Sequence, residues 1–497
     1  MSNSRLIPDA DAIQTMKTNP MQATSSVTTR HARSLLAGAI LLASGCAVGP
    51  DYESVLDDAP AQQAFVSTDA TAISTAAVSD SWWQLYNDAA LNALVEEALS
   101  ANTDLRVAEA NLRRVDALWR ETRGQFLPST SVDASETYSR QNFFFDAAPL
   151  TVQNNVYNAA LNISYQLDLF GRVRRAVEAA RADSDAMRAA TQAVRLTVVA
   201  NTVRNYAAAC HAGNQLSIAQ NNLELQTRRV ELTQRLVEAG RGTRMELTTA
   251  AAQLEQTRAL LPQLQSARQA ALFQLAALLG RTPDQVPELA AQCTAALALQ
   301  QAIPVGDGTQ LLRRRPDVLQ AERELAAATA RVGVAVSDWF PTVNLGAGIG
   351  SAAQSSRDLF SSSTEIWNYG ANIAWAFPNV TGTIARVRQA EAAVDAAAAR
   401  FDGAWLNALR ETETAISTYV NALERRSALA DAAEFSDEAA GLAQLRFEAG
   451  QLNLLDVLQA ELNAVNARSA SAAMEAEVSA LQVDLFLALG GAWAPAG

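Results

Sequence analysis

The chain has 497 residues, with 39 basic and 52 acidic side chains, a net charge of −13, 49% hydrophobic and only 6% aromatic residues. Lysine occurs once, at Lys17, and histidine twice, at His31 and His211, so phosphate-loop or Schiff-base lysine chemistry is absent from the body of the chain and no multi-histidine metal site can be built. The acidic balance argues against nucleic-acid binding, which rests on clustered cationic charge.

The first element is a leader. Leu35 to Gly45 form a short apolar run that ends in small residues before Cys46, with Arg30 and Arg33 ahead of it. A basic flank, an apolar core and a small-residue cleavage site define a secretory signal over residues 1–45. It is too short to span a membrane, and a start at Met21 gives it ordinary proportions. A cysteine at the cleavage point is the lipoprotein arrangement, so an N-acyl diacylglyceryl lipid on Cys46 is expected, with no other cofactor. Ala47 rather than Asp follows the cysteine, which by bacterial lipoprotein sorting directs the product to the outer membrane. Removing residues 1–45 takes away four basic and two acidic residues and leaves a net charge of −15. Residues 46–86 then form a lipidated N-terminal segment.

The remainder is duplicated. Asp104, Ala108, Glu109, Leu112, Ala117 and Pro128 recur 213 residues later as Asp317, Ala321, Glu322, Leu325, Ala330 and Pro341. Glu238-Ala239-Gly240 recurs 210 residues later as Glu448-Ala449-Gly450, and Gly280 as Gly490. The repeats cover residues 87–280 and 313–490, with residues 281–312 between them and a tail at 491–497. Each begins with a helical stretch that leads to a proline, Ala89 to Thr122 in the first and Pro316 to Ser337 in the second. Strands are expected at 129–140 and 157–170, and again at 342–350 and 367–377. Long helices follow at 172–239 and 383–449, then return helices at 244–279 and 454–489. The long stretches lack proline, and each would run about 100 Å. Val387, Val394, Phe401, Ala408, Ala415 and Ala422 recur at sevens, the spacing of knobs-into-holes packing. Taken alone, this region fits a soluble helical bundle equally well.

The strands distinguish the readings. From Tyr157 to Leu169 every odd position is apolar or aromatic and the positions between are small or polar. Trp367 to Phe377 and Thr342 to Ile349 alternate likewise, and Ser129 to Arg140 does so weakly. About ten residues of such alternation, with aromatics near the ends, is the pattern of a transmembrane β-barrel. Four strands cannot close a barrel, and an open edge has no partners in lipid. Several chains must contribute, and three give twelve strands.

Three stretches then carry a resemblance: Cys46-Ala-Val-Gly-Pro-Asp-Tyr52, Leu311-Leu-Arg-Arg-Arg-Pro-Asp317 through Trp339-Phe-Pro341, and the paired turns Glu238 to Glu246 and Glu448 to Asp456. On these the mature chain resembles the TolC-like outer-membrane efflux proteins of the lipidated NodT type. The resemblance implies a mostly α fold with a transmembrane β-barrel: a homotrimeric channel-tunnel of twelve strands, continued by an α-barrel through the periplasm. It implies a passive conduit for drugs or other small molecules, in outer-membrane lipid, working with a periplasmic adaptor (membrane fusion protein) and an inner-membrane RND-type pump. Two other readings stand beside it: a periplasmic coiled-coil adaptor or structural protein, and the exit duct of a type I peptide-secretion system.

By this resemblance the turns far from the barrel are the periplasmic entrance. Adaptor docking is expected at Arg235, Gly240, Arg241, Gly242 and Thr243, and at Arg446, Gly450, Gln451, Leu452 and Asn453. The gate is expected at Glu246, Asp456, Arg244 and Phe447. Glu246 and Asp456 match positions where relatives ring a constricted mouth with acids. The same acids also suit the first turn of a helix, where they offset its dipole. Leu452 and Gln459 depart from the polar network often found there. Counted along the helix from Gly240, Cys210 lies about 45 Å from the tip and Gly280 about 60 Å, with Cys293 soon after. At that height residues 281–312, broken by Pro283, Pro287 and Pro304, should form an equatorial girdle. A Cys210–Cys293 disulfide is expected in an oxidising compartment. The loops Gln141 to Val156 and Ala352 to Ile366 should face outside the cell, and Phe143-Phe144-Phe145 are either rim aromatics or loop packing. No catalytic motif is present: Gly346-Ala-Gly-Ile-Gly350 lies in a strand with the wrong spacing for a dinucleotide loop.

Overall fold

A computed structural model of the protein describes residues 47–54, 65–66, 72–74, 76, 81–145, 148–295, 297, 299, 301–377 and 380–491. The expected signal, the expected lipid site Cys46 and residues 492–497 of the tail lie outside the described residues. From Val48 onward the described residues form one unit.

Each repeat contributes two strands and a set of helices. The first contains α1 (Ala89–Ala101), α2 (Thr103–Gly124), β1 (Ser129–Phe145), β2 (Ala148–Leu167), α3 (Arg172–Glu238) and α4 (Arg244–Leu278). The second contains α5 (Pro316–Ser337), β3 (Thr342–Ala353), β4 (Glu365–Ala374), α6 (Val380–Glu448) and α7 (Leu454–Ala488). The sequence suggests one helix from Ala89 to Thr122, but it is two. Asn102 ends α1 through its N–H to Ala98 O and starts α2 by accepting from the N–H groups of Asp104 and Leu105. Its amide also donates to Leu278 O at 3.0 Å, so α4 meets α2 end to end. In the second repeat Arg315 Nη1 donates to Ala488 O at 3.0 Å and joins α7 to α5 in the same way. Two long and two composite helices therefore stand side by side. α5 packs between α3 and α6 above the junction, and α7 contacts both below it.

The strands form one antiparallel sheet in the order β1-β2-β3-β4. They differ in extent from the sequence reading. β1 reaches Phe145 and β2 starts at Ala148, so most of the expected outer loop Gln141 to Val156 is hairpin. Its polar residues pair across the strands: Tyr138 with Gln153, Asn142 with Thr151 and Glu136 with Asn155. Antiparallel pairing satisfies the backbone whether or not side chains alternate in polarity, so alternation marks only the part in lipid. β2 stops at Leu167, because Asp168 turns back to accept from the N–H groups of Val173 and Arg174 and caps α3. β4 spans Glu365–Ala374, short of Phe377. The long helix of the second repeat begins at Val380, ahead of the expected Thr383.

Described residues of the segment between the repeats, among them Ala290, Leu297, Ile303 and Leu311, pack into the core with the helices. Ile73–Ser74 pairs in parallel with Ile303–Pro304, and short helices occupy Glu288–Ala291 and Gly308–Arg314. The largest core lies here. Trp82 stacks on Phe486 with ring centroids 4.6 Å apart, beside buried Leu91, Ile303, Leu311 and Ile416. Cys210 and Cys293 form a disulfide that ties this belt to α3.

Candidate functional site

Three places carry the features of function: the sheet, the N-terminal strap and the helical tips. The sheet separates two chemistries by face. One rung runs Val132, Leu161, Ile349, Trp367 across all four strands, and the next face carries Ser131, Asn162, Gly348, Asn368. The apolar members are exposed, with Trp367 67% accessible and Val132 78%. Such exposure in a protomer marks a surface that lipid covers. On β2 the apolar face extends from Leu167 to Tyr157, about 33 Å along the strand and about 25 Å of membrane once tilted. Trp367 stacks on Tyr369 toward the outer end, and Trp375 leans on Phe377 by the helices. Tyr157 and the Trp375–Phe377 pair stand at opposite ends of the apolar face, the places of aromatic girdles at a lipid–water boundary. The other face is hydrophilic: Asn162 donates to Asp133 at 2.9 Å, and a side chain at Gly348 would strike the amides of Asn162 and Asn368. β1 and β4 each pair on one side only. Among the described residues no helix is long and apolar enough to cross a membrane.

The strap explains the motif that follows Cys46. Val48 N–H reaches Phe170 O at 3.3 Å, next to the stacked rings of Phe170 and Phe340. Arg175, only 4% exposed, holds Asp51 at 2.6 Å and donates to the carbonyls of Val48 and Gly49. Tyr52 donates to the fully buried Glu322 at 2.6 Å. Glu322 is visible in sequence only as one of the repeated positions; its partner is not.

At the tips, Gly240 and Gly450 take positive φ of 69° and 74°. Arg241 N–H then reaches Leu236 O and Gln451 N–H reaches Arg446 O, the same cap on both hairpins. Arg235, Arg241, Arg244 and Arg446 are exposed, as are Thr243, Gln451 and Asn453; Gly242 and Leu452 are half-buried. The two acids of the expected gate are not alike. Glu246 folds back on its own N-cap, accepting from Thr243 N–H at 2.6 Å and from its hydroxyl at 2.9 Å. Asp456 is exposed, and Asn453 caps the helix in its place, accepting from Asp456 N–H at 3.0 Å. Phe447 is not a free gate residue: it packs with Val230 against Ala250, Leu454 and Leu458, where both hairpins meet. Sequence reasoning missed the main polar link between the hairpins. Arg229 on α3 pairs with Glu461 on α7 and donates to Gln444 on α6. Burial holds the Glu461 carboxyl above its ordinary range, with Arg229 opposing. No local pattern marks these three positions, which are far apart in sequence.

A sheet open at both edges, apolar on one face and polar on the other, continued by two helical hairpins, defines one protomer of an outer-membrane channel with a periplasmic tunnel. The chain belongs to the outer membrane efflux protein family, which matches it at residues 94–281 and 308–491. It is 27% identical over 456 residues to nodulation protein T of Rhizobium leguminosarum bv. trifolii, covering 92% of this chain and 96% of that protein. It is 27% identical over 463 residues to the cation efflux system protein CusC of Escherichia coli O157:H7, covering 91% and 97%. The solved outer-membrane channel OprN superposes with a TM-score of 0.82 at 36% identity, covering 90% of this chain and 100% of that one. The protein is thus a TolC-like efflux channel of the outer membrane that extends into the periplasm, and its family is one of ducts rather than enzymes.

Proposed function

We propose that three copies close into one conduit that takes small molecules from a periplasmic adaptor and an inner-membrane pump to the exterior, held also by a lipid on Cys46. The observation that carries the trimer is an unfilled seam. In the first repeat Ala182, Ala186 and Ala189 of α3 are buried, with α5 of the next repeat packed on this helix. In the corresponding stretch of α6, after the second pair of strands, Ala392, Ala396 and Ala399 are all exposed. The element that would cover them is the α2 of another chain. Six repeats closing a ring means three chains, which also pairs every strand edge. The lipid reading rests on the leader and on the strap, whose Val48 is held beside the girdle by the helices. At the mouth, Asp456 is the better gate residue than Glu246, because its carboxylate is not spent on a cap. The exposed tip residues, Arg235 to Thr243 and Arg446 to Asn453, form the docking surface for the adaptor. Purified protein reconstituted in a planar bilayer tests the conduit: trimers that open discrete conductances are expected, and monomers that open none would refute it.

A further inference from the structure

The turn between β3 and β4 is folded back on the sheet. Three successive backbone bonds wind it: Asp358 N–H to Ser355 O at 3.1 Å, Ser361 N–H to Asp358 O at 3.0 Å and Thr364 N–H to Ser361 O at 3.1 Å. Side chains then pin it to the end of β3. The Ser351 hydroxyl donates to Thr364 Oγ1 at 2.8 Å and accepts from Phe360 N–H at 3.2 Å, while Thr364 Oγ1 donates to Asp358 O at 2.9 Å. The register fixes the face on which this happens. Ser351 pairs with Ala159 and Glu365, each two residues from the members of the apolar rung Leu161, Ile349, Trp367. Side chains alternate across a strand, so Ser351 stands on the lipid-covered face and not on the polar one. It is 3% exposed, whereas Ile349 on the same face is 53% exposed. The turn therefore lies against the outer wall of the barrel rather than across its lumen.

Phe360 is held in this turn with φ of +77° and is 78% exposed. A bulky side chain at positive φ is strained, and a phenyl ring in water is unfavourable on its own account. Both costs fall on one residue, in a turn whose bonds fix it there. Its height is set by the strands: Ala353 pairs with Tyr157, the aromatic at the outer end of the apolar face, and Ser351 lies one rung inward. Trp367 follows about 7 Å along β4. We propose that this turn is a lipid anchor, with the Phe360 ring inserted among the acyl chains at the outer-leaflet boundary, where burial in lipid offsets both costs. The occupant is lipid because the patch continues the face of Ile349 and Trp367, beyond the point where Glu365 ends the apolar run of β4. The inference rests on that face being the lipid-covered one. A turn anchored outward also leaves the outer mouth of the channel uncovered.

The test places the fluorophore NBD on Phe360→Cys in the full-length trimer, reconstituted in phosphatidylcholine vesicles with and without lipid brominated near the head of its acyl chains. Trp367→Cys serves as the lipid-face control and Asn142→Cys, exposed on the outer hairpin, as the water control. Cys210 and Cys293 are disulfide-bonded, and the unsubstituted chain is the labelling blank. Brominated lipid should quench the label at 360 and 367, and iodide in the water should quench the label at 360 about threefold less than at 142. Phe360→Trp keeps an aromatic ring in the turn, and the emission it adds over the parent chain should also be quenched by the brominated lipid. Iodide quenching at 360 equal to that at 142, or added tryptophan emission that brominated lipid leaves unchanged, overturns the anchor. So does oxidative cross-linking of Phe360→Cys between protomers, which would put the turns together over the pore. A label at 367 in lipid with one at 360 in water refutes this inference alone, whereas labels at both in water refute the lipid face beneath it.

Discussion

Glu246 and Asp456 occupy equivalent positions in the two hairpins, yet only one is free to act at a distance. Replacing Asp456 by Ala should raise the leak of the isolated channel in a planar bilayer, and Glu246→Ala should mainly fray α4, at a cost of about 1 kcal/mol. An unchanged leak in Asp456→Ala would remove it from the gate. The Arg229–Glu461 pair predicts another asymmetry. The two side chains are 19% and 22% exposed, so Arg229→Ala strands a carboxylate already held above its usual range by burial. It should cost about 2 kcal/mol, between surface and fully buried pairs. Glu461→Gln leaves Arg229 its bond to Gln444 and should cost less. Both are read from thermal melting of the trimer. His211 adds a pH dependence. It is buried, with Nε2 2.8 Å from Ser479 Oγ, and burial pushes its pKa down. Below about pH 6.5 the unfolded chain takes up a proton that the folded chain refuses, so stability falls as pH falls. His211→Gln should remove that slope between about pH 7.5 and 5.5.

Elements were legible in proportion to how local their causes are. The sevenfold apolar spacing of α6 and the period-two alternation of β2 and β4 both report the packing of their own segment, and both appear in the structure. The outer half of the β1–β2 hairpin was not legible, because paired polar side chains in water carry no alternation. The break at Asn102 was also hidden. A single Asn in an Ala-rich helical run is unremarkable until Leu278 O is brought to its amide. The strap gives a prediction at this scale. A side chain at Gly49, where φ is +95°, would place its Cβ 2.4 Å from Gly333 Cα. Gly49→Leu should therefore detach residues 48–54 from α3 and α5, costing about 2 kcal/mol or more through overpacking. Limited proteolysis should then cut the strap while the helical body stays resistant.

At the scale of the whole molecule, the duplication itself predicts the contact between chains. Arg331 of α5 pairs with Asp183 of α3 inside one protomer. Shifted by the repeat offsets, those positions become Leu118 and Ala393, and Leu118 is 47% exposed. Cysteines at Leu118 and Ala393 should cross-link neighbouring chains into covalent trimers on oxidation, and products confined to single chains would refute the ring. The chain's own sequence determined the repeat, the helix and strand types, the secreted destination and the tip positions, because periodicity and turn residues act over a few neighbours. The capping box of Thr243 and Glu246 is also local, since it joins residues three apart. Tertiary structure alone decided that Phe447 is packed and that Arg229 bridges three helices. Those outcomes depend on partners as far apart as Arg229 and Glu461, 232 residues along the chain, and no local spacing encodes a distance closed only by folding.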